Sequence, residues 1–320
     1  MECPELTSHK VVLANGKIAN VNQKSYPDLY FALRGGGNNF GIVTRLDLET
    51  FAQGDLWGGM SVYPAEAQDS IYTALNNFAN NAPSDPDAAL IVAFVYAFGQ
   101  YFFSNDYEYA NPVVNPPIFH EFTSIPSIRS TLRITNLTDL TTELNASNPS
   151  GYRQTYWTAT FKSSPVLSNH INGLFVHEVN GIKDAEAILP ALVLQPITKP
   201  MISHFSKRGG NALGISESDG PLILLNIAIS WSSKNDDERI IAAAKRIVDG
   251  SVAAAKEMGL DYKYLYQNYA ALSQDVFAGY GVANQQRLRH VSRKYDPEQV
   301  FLKLQPGYFK LDAENGGQET

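Results

Sequence analysis

The sequence predicts an α+β fold, an antiparallel sheet covered by helices, and three observations predict it. Arg153–Phe161 and Leu222–Trp231 alternate, the period-two pattern of strands that bury one face. Pro64–Ala82 instead spaces Ala67, Ile71, Leu75 and Phe78 at helical intervals, with Pro83 just beyond. The two kinds of segment follow one another without strict alternation, which disfavours a repeated parallel βαβ build.

Each element has its own local reason. Val11, Val12 and Leu13 precede Ala14-Asn15-Gly16, and Ile18 and Val21 follow, so an Asn-Gly turn between apolar runs predicts a hairpin over residues 10–21. Pro27-Asp28 opens a short helix, Leu29–Leu33, which three glycines end. Ile42–Phe51 alternates again as a strand, and Ala88–Phe98 is a strongly apolar one. Pro112, Pro116, Pro117 and Pro126 mark a loop-rich stretch before a helix expected from about Ser127. Beyond the strand at Arg153, Pro165–Val179 and Lys183–Leu194 both look helical. Asp236–Met258 reads as a helix whose Asp236, Asp237 and Glu238 sit at the positive end of its dipole. Tyr262–Tyr269 is expected as a last strand and Gly281–Tyr295 as a last helix.

With 320 residues the chain has room for about two domains, and 44% apolar against 18% charged residues exclude a disordered chain. A net charge of -7 without a Lys/Arg cluster argues against nucleic acid as a partner. No apolar run approaches the ~18 residues of a membrane span, and the start MECPELTSHK has no signal-peptide pattern. Cys3 is the single cysteine, and the six histidines lack ligand spacing, so no metal site is expected. Seventeen Tyr and sixteen Phe suit a pocket for a small organic substrate, although any one of them is as readily core. Composition says nothing of oligomeric state.

The run Arg34-Gly35-Gly36-Gly37-Asn38-Asn39-Phe40-Gly41 is the most unusual stretch. It fails the dinucleotide fingerprint, because Phe40 stands where the third glycine belongs. Gly36 and Gly41 have P-loop separation, but Ile42-Val43 replace the required Lys and Ser/Thr. Local physics leaves two readings: a backbone cradle for a ligand, or a helix C-cap followed by a turn.

Pro27-Asp28-Leu29 through Leu33-Arg34-Gly35-Gly36-Gly37-Asn38-Asn39-Phe40-Gly41-Ile42-Val43-Thr44 resembles the closing segment of the flavin domain of berberine-bridge-enzyme-like FAD oxidoreductases. These belong to the vanillyl-alcohol-oxidase, or PCMH-type, superfamily. Tyr266-Gln267-Asn268-Tyr269, Ser273-Gln274-Asp275, Lys294-Tyr295-Asp296-Pro297 and Leu304-Gln305-Pro306-Gly307 are similar to the family's C-terminal segment in its fungal form. Ser206–Gly214 resembles an internal signature of the same group, so the likeness runs from about Val11 to Leu311. It implies three parts: residues 1–54 as the C-terminal remnant of a PCMH-type FAD-binding domain, 55–261 as a substrate-binding α+β domain, and 262–320 as a segment returning to the flavin domain.

The resemblance implies FAD as cofactor, with Gly36, Gly37, Asn39, Gly41, Ile42 and Val43 beside its adenine-diphosphate part and Asn268 near the isoalloxazine. It puts Tyr266 or Tyr269 at the reacting substrate, and strand alternation over 262–269 would put Tyr266 and Asn268 on one face. Asn226, opposite the apolar face of Leu222–Trp231, lines a pocket or an outer surface. Arg208 binds an anionic substrate group or caps a helix. The family's Gly-Gly-His and cysteine attachment sites find no match here, so most of the flavin domain is expected to lie outside this sequence. The implied activity is oxidation of a small organic, secondary-metabolite substrate with dioxygen as acceptor. A flavin-free, redox-inactive fragment and a cofactor-independent binding or cyclisation protein are the alternatives. Members of the family are often secreted, which leaves location open.

Overall fold

The computed structural model describes residues 6–146, 150–305 and 307–311; Cys3 and Pro306 lie outside them. The chain opens with β1 (Leu6–Val12), β2 (Ile18–Asn22), α1 (Pro27–Leu33), β3 (Ile42–Leu48) and β4 (Leu56–Pro64). Next come α2 (Gln68–Asn81), β5 (Ala88–Ala97), β6 (Gln100–Tyr109), α3 (His120–Thr123), β7 (Arg129–Ser130), β8 (Arg133–Thr135) and α4 (Leu137–Ala146). The second half carries β9 (Arg153–Lys162), α5 (Pro165–Asn180), β10 (Leu189–Ile197), α6 (Lys199–Ser203) and β11 (Leu222–Trp231). It ends with α7 (Asp237–Glu257), β12 (Asp261–Tyr262), α8 (Val282–Tyr295) and α9 (Val300–Lys303).

These elements form two compact units. One comprises Met1–Phe51, Met201–Asp219 and Lys263–Thr320; the other comprises Ala52–Pro200 and Gly220–Tyr262. The larger unit is a nine-stranded antiparallel sheet in the order β12-β9-β11-β10-β5-β6-β4-β7, with β8 also on β4. Ile223, Leu225 and Ile227 of β11 lie opposite Phe161, Ala159 and Trp157 of β9, so they share one face. Leu192 and Leu194 of β10 extend that face to Phe94 and Val92 of β5. Helices α2, α5 and α7 cover it, with Phe94 edge-on to Phe175 at 6.0 Å and Tyr72 edge-on to Phe103 at 5.5 Å. The opposite face stays half-buried along β5, β6 and β10. That asymmetry is the α+β layer arrangement expected from the alternation.

The smaller unit holds a three-stranded sheet, β2-β1-β3, joined by the Asn15-Gly16 turn with Gly16 at φ +78°. Against it α1 buries Leu29, Tyr30, Phe31 and Ala32. The glycine run then ties together segments some 170 to 270 residues apart. Arg34, 2% exposed, donates to the carbonyls of Lys207 (3.1 Å), Arg208 (3.0 Å) and Gly210. The Tyr280 hydroxyl donates to the Gly35 carbonyl at 2.9 Å. Asn39 gives its amide hydrogens to the carbonyls of Gly36 (2.7 Å) and Phe309 (3.0 Å) and accepts from the Leu311 N–H (3.3 Å). Asp296 caps α9 by accepting from the Val300 and Phe301 N–H groups at 2.8 and 2.9 Å.

Four expectations are corrected. Lys183–Leu194 is not a helix: its second half opens β10 in the centre of the sheet. Its unbroken apolar run fits either element, and Pro190 and Pro196 oppose a helix there. No helix starts at Ser127; Arg129–Ser130 and Arg133–Thr135 pair with the edge of β4, and α4 begins where Asn136 accepts from the Asp139 N–H at 3.0 Å. The strand β6, ahead of the proline-marked stretch, is not among the expected elements; it is entered through Phe98-Gly99, both at positive φ (54° and 80°) as a primed hairpin turn requires. Finally, only Tyr262 of the last predicted strand is paired. Residues 267–269 form a single 3-10 turn, closed by the Tyr269 N–H on the Tyr266 carbonyl at 2.9 Å.

Two predictions follow from the small unit. Asn39→Ala removes three hydrogen bonds at a buried position and should destabilise by about 2–4 kcal/mol in urea unfolding; a loss under ~1 kcal/mol would refute the clamp. His9, 4% exposed, has its pKa lowered to about 4 by burial and then by Arg34. The unfolded imidazole titrates near 6.5, so the unfolded chain takes up the proton first and stability falls as pH drops from about 6.5 to 4. That loss should total about 3 kcal/mol and vanish in His9→Asn, as unfolding at several pH values would show.

Candidate functional site

The candidate residues divide by what their surroundings allow. A Cβ at Gly36 would lie 2.4 Å from both the Ala32 carbonyl oxygen and the Phe40 ring. One at Gly41 would lie 2.5 Å from the Val11 side chain. These glycines are demanded by the chain's own packing, and the side chain of Asn39 is consumed by the clamp. Gly37 differs: it adopts φ +66° and faces the side-chain nitrogen of Gln267, 2.5 Å from where its Cβ would be. Ile42 and Val43 stand at the start of β3, 53% and 39% exposed, and are open to a ligand.

The Tyr266–Tyr269 turn supplies polar groups beside this loop. Asn268 donates its amide hydrogen to the Tyr266 hydroxyl oxygen at 2.8 Å, so the pair expected from strand alternation is joined through a turn instead. The rings of Tyr266 and Tyr269 meet edge-on, 4.8 Å apart at 79°. The Gln267 side-chain nitrogen is buried and has no hydrogen-bond partner among the described residues. Arg208 sits in a left-handed conformation, φ 54°, with its guanidinium on Glu49 and its carbonyl accepting from Arg34.

Asn226 belongs to the larger unit and lies on the half-buried face of the sheet, in a row with Val193, Ala93 and Ser104. It is 6% exposed, and its carbonyl oxygen has no hydrogen-bond partner among the described residues. Thr160, on the same face opposite Leu224, has a buried hydroxyl in the same condition. Two further residues of that face escaped sequence reading. The side chains of Asp106 and Glu108, two apart on β6, form no hydrogen bond or ion pair with another described residue. Burial, and then the Glu143 charge, pushes Asp106 up to about 6; burial, and then Asp106, pushes Glu108 up to about 7. The alternation of Ser104-Asn105-Asp106-Tyr107-Glu108 carried the signal, once the segment is taken as a strand. Among the described residues no group of three or more His, Cys, Asp or Glu could hold a metal, and no helix is long and apolar enough to cross a membrane.

No protein-family model matches the chain. Curated proteins do. A protein of Fusarium proliferatum named FAD-dependent monooxygenase FUP4 is 40% identical over 97% of this chain and 63% of its own length. One of Cochliobolus heterostrophus named FAD-dependent monooxygenase tpcD is 40% identical over 97% of this chain and 62% of its own. This chain thus spans less than two thirds of the length of either relative. Among solved structures, 6-hydroxy-D-nicotine oxidase from Arthrobacter nicotinovorans superposes with a TM-score of 0.71 at 16% identity, covering 93% of this chain and 64% of that one. Xylooligosaccharide oxidase from Myceliophthora thermophila superposes with 0.67 at 19% identity, covering 92% and 64%. The fold is therefore that of the PCMH-type, berberine-bridge-enzyme-like oxidases. Within that class, the relatives in sequence are fungal proteins that carry the name FAD-dependent monooxygenase.

The residues fit one edge of the FAD that this class implies. Gln267 offers a buried donor without a protein acceptor, Gly37 keeps a Cβ out of its way, and Tyr266, Tyr269 and Asn268 add aromatic and amide surface. None of these groups carries a negative charge that would repel a phosphate.

The carboxyls of the sheet face yield a test of their own. Folded Asp106 and Glu108 hold their protons to about pH 6 and 7, whereas the unfolded groups release theirs near 4. Stability from this source is complete below about pH 4 and is lost as pH rises to 7. The double variant Asp106→Asn, Glu108→Gln should therefore melt higher than the wild type at pH 8 and show no such advantage at pH 4. A melting-temperature difference independent of pH would overturn the assignment.

Proposed function

We propose that the chain forms part of an FAD-linked oxidoreductase that oxidises a small organic molecule with dioxygen as final acceptor. The observation that carries the reading is the Asn268–Tyr266 hydrogen bond, held on a turn whose Gln267 lies against the glycine run. When bound, FAD supplies the two-electron acceptor for a substrate hydride and is reoxidised by dioxygen. The chain's own residues would hold the cofactor through Gly37, Ile42 and Val43, with Asn268 and the two tyrosines beside it.

Oxidation of a C–H next to a hydroxyl or amine leaves one proton to be removed. Asn268 holds the Tyr266 oxygen in place on the turn, and Tyr266, acting in its ionised form, is the group proposed to take the proton. Separately, the larger unit carries a proposed ligand surface of its own on its half-buried sheet face, where Asn226, Asp106 and Glu108 stand on the same side as Ala93 and Val193. The name monooxygenase borne by the fungal relatives supports flavin chemistry with dioxygen. Their greater length supports a further proposal, that the share of a flavin domain encoded here is partial.

Purified protein, incubated with FAD and passed over gel filtration, should retain a flavin absorption band. A folded protein that keeps no flavin but binds apolar ligands would replace this reading with a binding role. In the flavin-loaded protein, Tyr266→Phe should slow flavin reduction by substrate about tenfold or more, followed by stopped-flow absorbance. Unchanged reduction removes Tyr266 from the chemistry.

A further inference from the structure

We infer that Gln267 is a cofactor-binding residue, its carboxamide N–H set to donate to an oxygen acceptor of the flavin nucleotide. The acceptor is a phosphate or a ring carbonyl. The inference rests on the flavin reading above and adds a contact that neither the glycine run nor the Tyr266–Asn268 pair supplies.

The side-chain nitrogen of Gln267 is buried and has no hydrogen-bond partner among the described residues. A buried donor without an acceptor is disfavoured, and an apolar side chain of the same size would fill the position without that penalty. The neighbouring donors are already committed. Asn268 donates to Tyr266, Asn39 to the carbonyls of Gly36 and Phe309, and Tyr280 to the carbonyl of Gly35.

The place of the amide is also built. Gly37 adopts φ +66°, and a Cβ there would lie 2.5 Å from the Gln267 nitrogen and 3.5 Å from its carboxamide carbon. Glycine at 37 thus keeps the amide against the loop. A neutral amide donor at this point attracts an oxygen acceptor without demanding that it be charged.

Gln267→Leu keeps the volume and removes the donor. Wild type and variant are compared by fluorescence titration with FAD and by thermal melting with and without it. The variant should melt at the same or a higher temperature without FAD, yet bind FAD about tenfold more weakly. Riboflavin, which lacks phosphates, serves as the second probe. Weakened riboflavin binding puts the acceptor on the ring; weakened FAD binding with riboflavin unchanged puts it on a phosphate. Equal FAD affinity in wild type and Gln267→Leu overturns the inference and leaves the flavin reading standing. A variant that melts lower without FAD while binding it normally assigns Gln267 a packing role. Wild type that takes up no FAD overturns both.

Discussion

The smaller unit depends on satisfying the carbonyls exposed where α1 stops. A helix leaves its last carbonyls without intrahelical partners, and here the chain must also turn sharply into β3. The backbone N–H groups of Arg34 and Gly36 take the carbonyls of Phe31 and Ala32, and the side chains of Asn39 and Arg34 bind the carbonyls of the loop beyond and of the segments packed on it. Asn39 spans Gly36, Phe309 and Leu311 with one carboxamide, and Tyr280 takes the carbonyl of Gly35. Arg34 works outward, gathering the carbonyls of the 207–210 segment beneath a guanidinium that lies 4.3 Å from the Tyr30 ring. Apart from Asn39 to Gly36, Arg34 to Tyr30 and the two backbone N–H bonds, each of these contacts joins residues far apart in the chain. The unit is therefore assembled by its loop rather than by a long sheet, and its three sequence-distant segments hold together as one.

The larger unit works differently. Its sheet is long, uniformly antiparallel, and apolar on the face that α2, α5 and α7 cover. Because that face supplies the burial, the other is free to hold polar side chains at a cost in desolvation. Asp106 and Glu108 show that cost in their raised pKa values, with no described partner to offset it. Arg133, the nearby cation, is already engaged by Asp139 and Glu143. Polar groups held unsatisfied on a rigid sheet are the kind of surface on which a ligand finds specificity.

Much of this was legible in the sequence where local pattern and tertiary environment agree. Leu222–Trp231 is a strand to the residue, since one face alternates apolar groups and the whole segment sits mid-sheet. The long α7 and the hairpin at Asn15-Gly16 were readable for the same reason. Reading failed where the environment decides. The Ile188–Leu194 run is apolar throughout, and only its neighbours β11 and β5 make it a strand. Tyr262–Tyr269 alternates well but has β9 beside it at Tyr262 alone, so it leaves the sheet and turns. Of the candidate site, the glycines and the Tyr266–Asn268 partnership were visible as motifs. Gln267 was not, because its significance lies in the absence of a described partner for one buried atom.

The glycine run can now be read position by position rather than as one motif. At Gly36 and Gly41 a side chain would strike the chain's own backbone or core, so glycine is required whether or not any ligand binds. A signature kept for such a reason marks a fold before it marks a cofactor, which explains why the run satisfies neither nucleotide-loop pattern. Gly37 is the exception, since what it accommodates is a polar amide that could have been replaced by something greasy. The turn reading holds where the chain's own packing demands glycine, and the cradle reading is our proposal for Gly37 alone. The turn is built by positions 36, 39 and 41, and position 37 with the exposed first residues of β3 is where the proposed cofactor contact falls.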